Sequence, residues 1–399
     1  MNFDLIFSCI LIITALLYCT LILAITAGTF RKSKFRRAGY AIKYYYSKGE
    51  TVSHSKGVLR VSVILPVRNE FKTVTSCLND FAMQDYPGEC FEIIVSDDFS
   101  EDYTVEKVRR WANEHPELKL TILKTEQNTE ENRGKKRAIE RAVAIAAGDI
   151  ILTTDADTNH GKSWIASMAG GFVKKDVRMV LGPVSFTGEK GIFQKIQVIE
   201  FLGLMGVTAG SASLGFSLMC NGANLAYSRE AFIDTGGFSG NNEFHSGDDQ
   251  FLMMNFSKQF GGNSVVFLRD KEAIAFTSPC ATWNDFWEQR LRWVSKSLGY
   301  RDAFVIFSGA LTFGFPLLIF IGGIAGIFNP LILLLSSFLW FVKILVEYPL
   351  VWLMAGFFEK KKLLNYYFAA QVFQFFYSLA VSVAGQFSIY SWKGRRFRK

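Results

Sequence analysis

The six cysteines of the chain include no C-x-x-C pair, so the usual signature of a structural zinc site is missing. Their scatter suits reduced thiols in a cytosolic domain and argues against a disulfide framework. The six are Cys9, Cys19, Cys77, Cys90, Cys220 and Cys280. No G-x-G-x-x-G follows the first predicted strand, which weighs against a dinucleotide-binding fold.

The chain also lacks any zinc-finger, RRM or KH pattern, although its formal net charge is +8 at pH 7. Much of this charge lies in short basic clusters beside apolar segments, where the positive-inside rule and anionic lipids explain it. Nucleic acid is therefore not an expected partner. Half of the 399 residues are hydrophobic, and they are concentrated at the two ends. This distribution is typical of a membrane protein with a globular insert.

The first apolar segment runs from Leu5 to Thr26 and, at about 22 residues, is long enough to cross a bilayer. Only Asp4 precedes it with charge, whereas a basic cluster follows it. The positive-inside rule predicts an N-terminus outside and the next domain in the cytoplasm. A cleaved signal peptide would carry its charges in the reverse order. We therefore predict a retained anchor over residues 1–28 and a basic linker over 29–52.

The middle of the chain, residues 53–300, alternates apolar runs with amphipathic segments. Runs rich in β-branched residues predict strands near residues 60–67, 91–97, 118–123 and 150–154. Helical periodicity predicts helices over residues 73–83, 102–113 and 133–147. Strands that alternate with helices indicate βαβ units, an α/β class and a mainly parallel sheet.

Asp155 and Asp157 directly follow the apolar run that begins at Ile150. The carboxyl edge of a parallel sheet is where open α/β folds bind ligands. Hard oxygen ligands suit Mg²⁺ or Mn²⁺, which one or two carboxylates typically share with substrate phosphates. The alternative is a surface turn or a helix N-cap, because aspartate favours both.

Six motifs occur along the insert in a fixed order, and together they indicate a family. They are V-S-V-I-L-P-V-R-N-E, I-I-V-S-D-D-F-S-E-D-Y-T, T-T-D-A-D-T, G-A-N-L-A-Y-S-R-E-A-F, G-D-D-Q-F-L and Q-R-L-R-W. A seventh segment, G-K-K-R-A, precedes the third. Over residues 61–293 this order resembles the GT-A nucleotide-sugar glycosyltransferases of family 2. The resemblance implies a Rossmann-like GT-A domain that transfers a sugar from a UDP-sugar with inversion.

On the donor side, the resemblance implies a divalent metal at Asp157 with Asp155 nearby, and a diphosphate approached by Lys135. It further implies that Asp97 or Asp98 recognises uracil, with the choice between them open. Glu70 would face the ribose by the same analogy. A solvated lysine and an acid favoured by a helix dipole are the simpler alternatives for Lys135 and Glu70.

On the acceptor side, the resemblance assigns Asp249 as the general base that an alcohol nucleophile needs. Asp248 stands where the family more often has glutamate, so the role of this first acid stays open. The pair can equally cap a helix. His245 lies nearby without a paired acid and is expected to be incidental.

Gln289, Arg292 and Trp293 match the Q-x-x-R-W signature within an interface helix predicted over residues 282–300. At helical spacing the three share a face that can offer a planar cation to the diphosphate and an aromatic wall to the acceptor. An amphipathic helix on the membrane surface predicts the same composition, and both interpretations can hold together.

The C-terminal region, residues 301–399, contains two apolar spans predicted over 303–327 and 331–357. Lys343 and Glu347 lie one turn apart in the second span and are expected to pair there. A third apolar stretch covers 363–390, and a full crossing would place the basic tail outside, against the charge rule. A re-entrant or interfacial stretch is the alternative, and the W-K-G-R ending resembles that of other membrane family-2 transferases with a cytoplasmic tail.

The leading hypothesis is therefore an inverting glycosyltransferase of the inner (cytoplasmic) membrane, multi-pass, with its catalytic domain in the cytoplasm. Its expected partners are a UDP-sugar, Mg²⁺ or Mn²⁺, and a lipid or glycan acceptor, with a ceramide, hopanoid or glycolipid as examples. A processive polysaccharide synthase is the first alternative, though few of the spans are polar enough for a channel. A non-catalytic membrane protein that binds nucleotide sugars is the second.

Overall fold

The computed structural model of the chain describes residues 3–30, 59–124, 134–174, 176–239 and 247–385, and the backbone of 390–392 and 395–397. Nearly all of the predicted basic linker lies outside the described residues, as does His245. All six cysteines are free thiols, in agreement with the sequence.

Seven strands form the central sheet, in the order β3-β2-β1-β4-β8-β6-β9. Neighbouring strands run parallel except for β8, which is antiparallel to β4 and β6. The predicted α/β class with a mainly parallel, Rossmann-like sheet is thus confirmed. The strands are β1 (Val61–Val67), β2 (Phe91–Asp97), β3 (Leu120–Lys124), β4 (Ile150–Thr154), β5 (Asn159–His160), β6 (Met179–Leu181), β7 (Val184–Phe186), β8 (Asn224–Ser228), β9 (Val265–Phe267), β10 (Ala275–Thr277), β11 (Tyr390–Trp392) and β12 (Arg395–Phe397).

Helices cover both faces of this sheet, and a bundle of long apolar helices adjoins it. The α-helices are α1 (Phe3–Phe30), α2 (Val74–Ala82), α3 (Thr104–Glu114), α4 (Lys135–Ile145), α5 (Trp164–Gly170), α6 (Ile192–Ser213), α7 (Arg229–Asp234), α8 (Asp248–Phe260), α9 (Trp283–Ser295), α10 (Ala303–Ala325), α11 (Pro330–Phe357) and α12 (Tyr367–Ala384). Short 3₁₀ helices cover Gly88–Cys90, Gly171–Val173, Gly262–Ser264, Lys271–Ala273, Lys296–Gly299 and Lys361–Tyr366.

The central strands are apolar along their whole length because both of their faces are buried. Val63 and Leu65 of β1 pack with α2 and α3 on one face. Ile64, between them, packs with α4 and α8 on the other. Since successive side chains of a strand point to opposite faces, this arrangement requires the continuous apolar runs that predicted the strands.

Within the part of the chain that the structure describes, five helical segments are long and apolar enough to cross a membrane, judged by length and composition: α1, α6, α10, α11 and residues 361–384. Three of them were predicted as spans, and the break at Asn329 and Pro330 is confirmed. The Asn329 side chain caps α11 by accepting a hydrogen bond from the backbone N–H of Leu331 at 3.1 Å. The apolar helix α6 was not predicted.

Helix α6 lies beside the bundle, because its two ends return to one sheet. The chain leaves that sheet at β6 and re-enters it at β8, where Met179 pairs with Tyr227. The 22 residues of α6 are about 33 Å long. If they crossed the membrane, residues 214–223 would have to return through lipid to reach β8. Irregular backbone exposed to lipid is not tolerated, because its polar groups would lack hydrogen-bond partners. The C-terminal half of α6 contacts the end of α1 closely, since a Cβ on Gly210 would lie 2.1 Å from the Ile25 carbonyl oxygen.

Helix α12 also begins and ends beside the α/β domain. Just before it, Lys360 Nζ bonds Glu189 Oε1 at 2.6 Å. Just after it, a Cβ on Gly385 would lie 2.8 Å from a methyl carbon of Val294 in α9, and strand β11 contacts α9 as well. This geometry favours the re-entrant or interfacial alternative for the third apolar stretch.

The predicted pairing of Lys343 with Glu347 is present, with Nζ and Oε1 2.7 Å apart. Two other polar side chains complete the cluster. Gln371 of α12 donates to Glu347 Oε2 at 2.7 Å and accepts from Lys343 Nζ at 3.1 Å. The Tyr18 hydroxyl of α1 donates to Glu347 Oε1. The cluster joins α1, α11 and α12, and its charges are buried with partners, as an apolar bundle requires.

Candidate active site

The carboxyl ends of β1, β2 and β4 meet at one edge of the sheet. Val67 of β1 pairs with Asp97 of β2, and Ile64 pairs with Thr153 of β4. This register brings together the acidic residues that follow the three strands, as the sequence predicted. Sheets of this kind bind ligands at that edge.

The turn after β4 is held by a buried hydroxyl network. The Thr158 hydroxyl donates to the Asp155 carbonyl at 2.6 Å and lies 2.7 Å from the Thr154 hydroxyl. His160 Nε2 lies 2.9 Å from that same Thr154 hydroxyl. Burial lowers the pKa of His160 to about 3, so the ring is neutral at physiological pH. The segment from Asp155 to Asp157 is therefore a turn, which was one of the alternatives in the sequence analysis. The hydroxyl network beneath it holds it rigidly.

The two carboxylates of this turn have different electrostatic environments. Lys135 Nζ, at the start of α4, lies 2.6 Å from Asp155 Oδ1. Burial and the charge of Asp155 raise the pKa of Asp157 to about 6, against the opposing effect of Lys135 and Arg292. The two carboxylates of the turn thus carry more negative charge than Lys135 and Arg292 neutralise.

The donor atoms of Asp155 and Asp157 fit a hard divalent cation. Within the described ranges, no group of three or more His, Cys, Asp or Glu side chains could hold a metal ion. Two carboxylates are too few for a site made by protein alone, but they are the usual protein contribution to Mg²⁺ or Mn²⁺ that is shared with substrate phosphates. The residues therefore fit an ion that binds together with a diphosphate.

The three acids assigned to the nucleoside are buried at the same edge. Asp98 Oδ1 accepts a hydrogen bond from the Gly134 backbone N–H at 2.8 Å, which directs this carboxylate towards the start of α4. Asp97 accepts from the Ser100 N–H at 3.2 Å and so stabilises its own loop. Glu70 Oε2 accepts from the Thr73 hydroxyl at 2.6 Å, within the turn that leads into α2. Which of the two aspartates contacts the base stays a prediction.

Asp249, the predicted base, lies in the first turn of α8. Its Oδ2 accepts from the Gly222 N–H at 2.9 Å, and its Oδ1 accepts from the Gln250 N–H at 2.8 Å. Burial opposes ionisation, but Lys296, Lys135 and these two backbone donors outweigh it and lower the pKa of Asp249. Burial raises the pKa of the adjacent Asp248. Adjacent carboxyls with divergent pKa values are a recognised feature of acid–base sites.

Two residues that the sequence analysis did not single out bring these groups together. Lys296 Nζ lies 3.5 Å from Asp249 Oδ1. Gly222 separates the two charged pairs, since a Cβ there would lie 3.3 Å from Lys135 Nζ and 3.5 Å from Asp249 Oδ2. Lys296 follows Arg292 by four residues, a spacing that could have placed it on the same helical face.

Helix α9 carries Gln289, Arg292 and Trp293 as predicted, but the residue between them anchors it. Arg290 forms a buried ion pair with Glu200 of α6, with NH2 and Oε2 2.6 Å apart. The Arg290 guanidinium stacks 4.2 Å from the Trp293 ring centre and donates to Gln289 Oε1. The helix is thus fixed to α6, and the charge of Arg292 on this helix helps to lower the pKa of Asp157.

Gly247, which precedes α8, is expected to be required for the position of Asp249. Its φ is +92°, and a Cβ there would lie 2.8 Å from Lys296 Cδ. Gly247→Ala should therefore lower both the melting temperature and the rate of sugar transfer. The matched control is Gly261→Ala at the other end of α8, where φ is +81° but nothing lies within 4 Å. It should cost only the backbone strain, about 1–3 kcal/mol, and an equal loss of the transfer rate in both variants would contradict the role of the Lys296 contact.

The family model described as glycosyl transferase family 21 matches residues 16–398 of the chain. An N-acetylglucosaminyltransferase of Rhizobium meliloti is 27% identical over 255 residues, which cover 61% of this chain and 57% of that protein. An N-acetylglucosaminyltransferase of Mesorhizobium japonicum is 27% identical over 288 residues, which cover 69% of this chain and 64% of that protein. The chain thus spans somewhat more than half the length of these two relatives.

The fold is that of a solved glycosyltransferase. A mannosyltransferase from Pyrobaculum calidifontis, in complex with GDP-Man and Mn²⁺, matches with a TM-score of 0.50 and 20% identity. The match covers 90% of this chain and 99% of that one. Together with the sheet order, this likeness confirms the GT-A-like fold class that the motifs implied.

Proposed function

Since the chain belongs to glycosyl transferase family 21, we propose that it transfers a sugar from a UDP-sugar to a hydroxyl group of a membrane lipid-type acceptor, with inversion. The family model that matches is family 21 and not the family 2 that the motifs resemble, while the coarser expectation of a glycosyltransferase with a GT-A-like fold is confirmed. The two N-acetylglucosaminyltransferases above make UDP-N-acetylglucosamine the first donor to test.

The observation that carries this proposal is that two ion pairs, each of one lysine and one aspartate, lie on either side of Gly222. Asp155 pairs with Lys135, and Asp249 pairs with Lys296. Glycosyl transfer needs positive charge beside a leaving diphosphate and a base beside an alcohol. The two pairs supply these requirements within one cluster at the ligand-binding edge of the sheet.

In the proposed reaction the acceptor hydroxyl gives its proton to the Asp249 carboxylate. The acceptor oxygen then bonds the anomeric carbon from the side opposite the leaving group, and the bond from that carbon to UDP breaks. The electron pair leaves with UDP. Each oxygen of Asp249 already accepts one backbone N–H. Because an ionised carboxylate has about four acceptor positions, it retains capacity for this proton.

The donor is positioned by the residues around the sheet edge. Lys135 and Arg292 stabilise the diphosphate, and Asp97 or Asp98 accepts a hydrogen bond from the uracil edge. Glu70 accepts from the ribose hydroxyls. Asp157 and Asp155 would hold a Mg²⁺ or Mn²⁺ ion, which would neutralise further charge on the leaving diphosphate.

The acceptor reaches the site from the membrane side of α9. We assign α1, α10 and α11 as the crossing helices of an inner-membrane protein, with α6 and α12 along the cytoplasmic surface. Trp293 packs against the apolar cluster that α6 and α11 share. We therefore assign Gln289 and Trp293 to hold the head of a lipid acceptor while its chain stays in the apolar region.

The test is release of UDP by the purified, detergent-solubilised chain with Mg²⁺ or Mn²⁺. A panel of UDP-sugars is offered with and without a total lipid extract. We expect release with one donor, stimulated by lipid, and a lipid product that carries a single added sugar.

The other outcomes separate the alternatives. Release accompanied by a growing polymer would identify a processive synthase in place of a lipid transferase. Binding of a UDP-sugar without turnover under any condition would leave the non-catalytic membrane protein that binds nucleotide sugars as the function to pursue. Product mass, measured on the same reactions, distinguishes single addition from polymerisation.

A further inference from the structure

Lys296 is placed to control the charge of the proposed base. It opens the 3₁₀ turn Lys296–Gly299 directly after α9. Its side chain and that of Asp249 are each 15% exposed, and their charged atoms are 3.5 Å apart. Its stem crosses Gly247, where its Cδ would contact an added Cβ at 2.8 Å. The Lys296 stem thus passes close to Gly247, which places its ammonium group beside the start of α8.

Other charged and titratable groups face Asp249 from every side. Helix α4 contributes Lys135 and Lys136, helix α8 itself contributes Asp248, and Cys220 and Tyr300 flank the ion pair. Lys135 is already bonded to Asp155 at 2.6 Å. Lys296 Nζ lies within ion-pair distance of Asp249.

We propose that Lys296 is a positioning residue that keeps the Asp249 carboxylate ionised and directed towards the acceptor. This inference rests on the proposed function. Without the ammonium group, burial and the neighbouring Asp248 both favour a protonated Asp249, which cannot accept the hydroxyl proton. Lys296 directly follows α9, the helix that carries Gln289 and Arg292. The packing of α9 against α6 therefore also determines where the Lys296 ammonium group lies.

The decisive readout is the pH profile of kcat/KM for UDP release with the lipid acceptor. In Lys296→Met we expect the acidic limb to move up by about 1 pH unit or more, since an opposite charge within ~4–6 Å lowers a carboxyl pKa by that amount. At pH values below the acidic limb, kcat/KM should be about tenfold lower than that of the wild type, and it should recover at alkaline pH. Lys296→Arg, which keeps the charge, should retain the wild-type limb.

The matched control is Lys360→Met. Lys360 forms an ion pair of similar burial with Glu189, with side chains 15% and 18% exposed, at the membrane side of the domain. Its removal should leave the acidic limb unchanged. A Lys296→Met enzyme whose limb superimposes on the wild-type limb would overturn the inference. Lys296→Gln is prepared in parallel, so that a misfolded methionine variant does not decide the matter.

A second readout needs no turnover. Carbodiimide with an added amine modifies protonated carboxyl groups, and mass spectrometry locates the label. At about pH 4.5, just above the ordinary pKa of an aspartate, we expect Asp249 to be labelled more strongly in the uncharged Lys296 variants than in wild type. Equal labelling would overturn the inference even if no sugar donor supported transfer. A failed donor panel with a clear labelling difference would instead count against the proposed function alone.

Discussion

Asp249→Asn is expected to lower kcat/KM for sugar transfer by about 10²–10⁴-fold, the usual contribution of a positioned general base. An amide cannot take the hydroxyl proton, whereas its shape matches that of the carboxylate. The donor contacts assigned to Asp97, Asp98 and Lys135 are not altered. The loss should therefore appear in kcat, measured by UDP release with saturating donor, while the Kd for UDP, measured by calorimetry, stays within a few-fold.

The control for this substitution is Asp234→Asn, an exposed aspartate at the end of α7. It removes the same charge from the opposite part of the domain and should leave transfer unchanged. Thermal unfolding of both variants in detergent separates catalysis from folding. If a folded Asp249→Asn enzyme retained wild-type kcat, another group would have to accept the proton.

The elements that form the site were predictable because each depends on local sequence. The apolar runs that end at Val67, Asp97 and Thr154 have the length and β-branched content of buried strands. Parallel strands must then bring their carboxyl ends to one edge, which places Asp98 near Asp155 without knowledge of any long-range contact. The break at Asn329 was equally local, because a capping side chain and a following proline define a helix start.

The features that were missed depend on partners far away in the sequence. Helix α6 contains Gln197 and Glu200, which interrupt its apolar pattern and hide it within a soluble domain. Their partners lie more than 80 residues later: Gln197 exchanges hydrogen bonds with the Cys280 backbone, and Glu200 pairs with Arg290. The pairing of Lys296 with Asp249 is non-local in the same way, and spacing predicts only which face of a helix a residue occupies.

Removal of divalent metal is the second change with a large expected effect. Excess chelator should lower transfer by about 10²–10³-fold, and Mn²⁺ or Mg²⁺ should restore it, because a leaving diphosphate loses several kcal/mol of charge stabilisation without the ion. Asp157→Asn should cause a loss of similar size that added metal does not reverse. Activity that is undiminished in chelator would remove the ion from the mechanism and leave Lys135 and Arg292 as the stabilising charges.

The same site makes a sharper prediction about how the ion binds. With only Asp155 and Asp157 grouped there among the described residues, the protein supplies too few ligands to hold Mn²⁺ tightly alone. Electron paramagnetic resonance titrations should therefore show at least a tenfold higher affinity for Mn²⁺ when UDP is present, because the diphosphate completes the coordination. Asp157→Cys should shift the metal preference from Mg²⁺ towards the softer Cd²⁺, since thiolates favour soft ions. Tight Mn²⁺ binding without UDP would instead require further ligands in the segments outside the described residues.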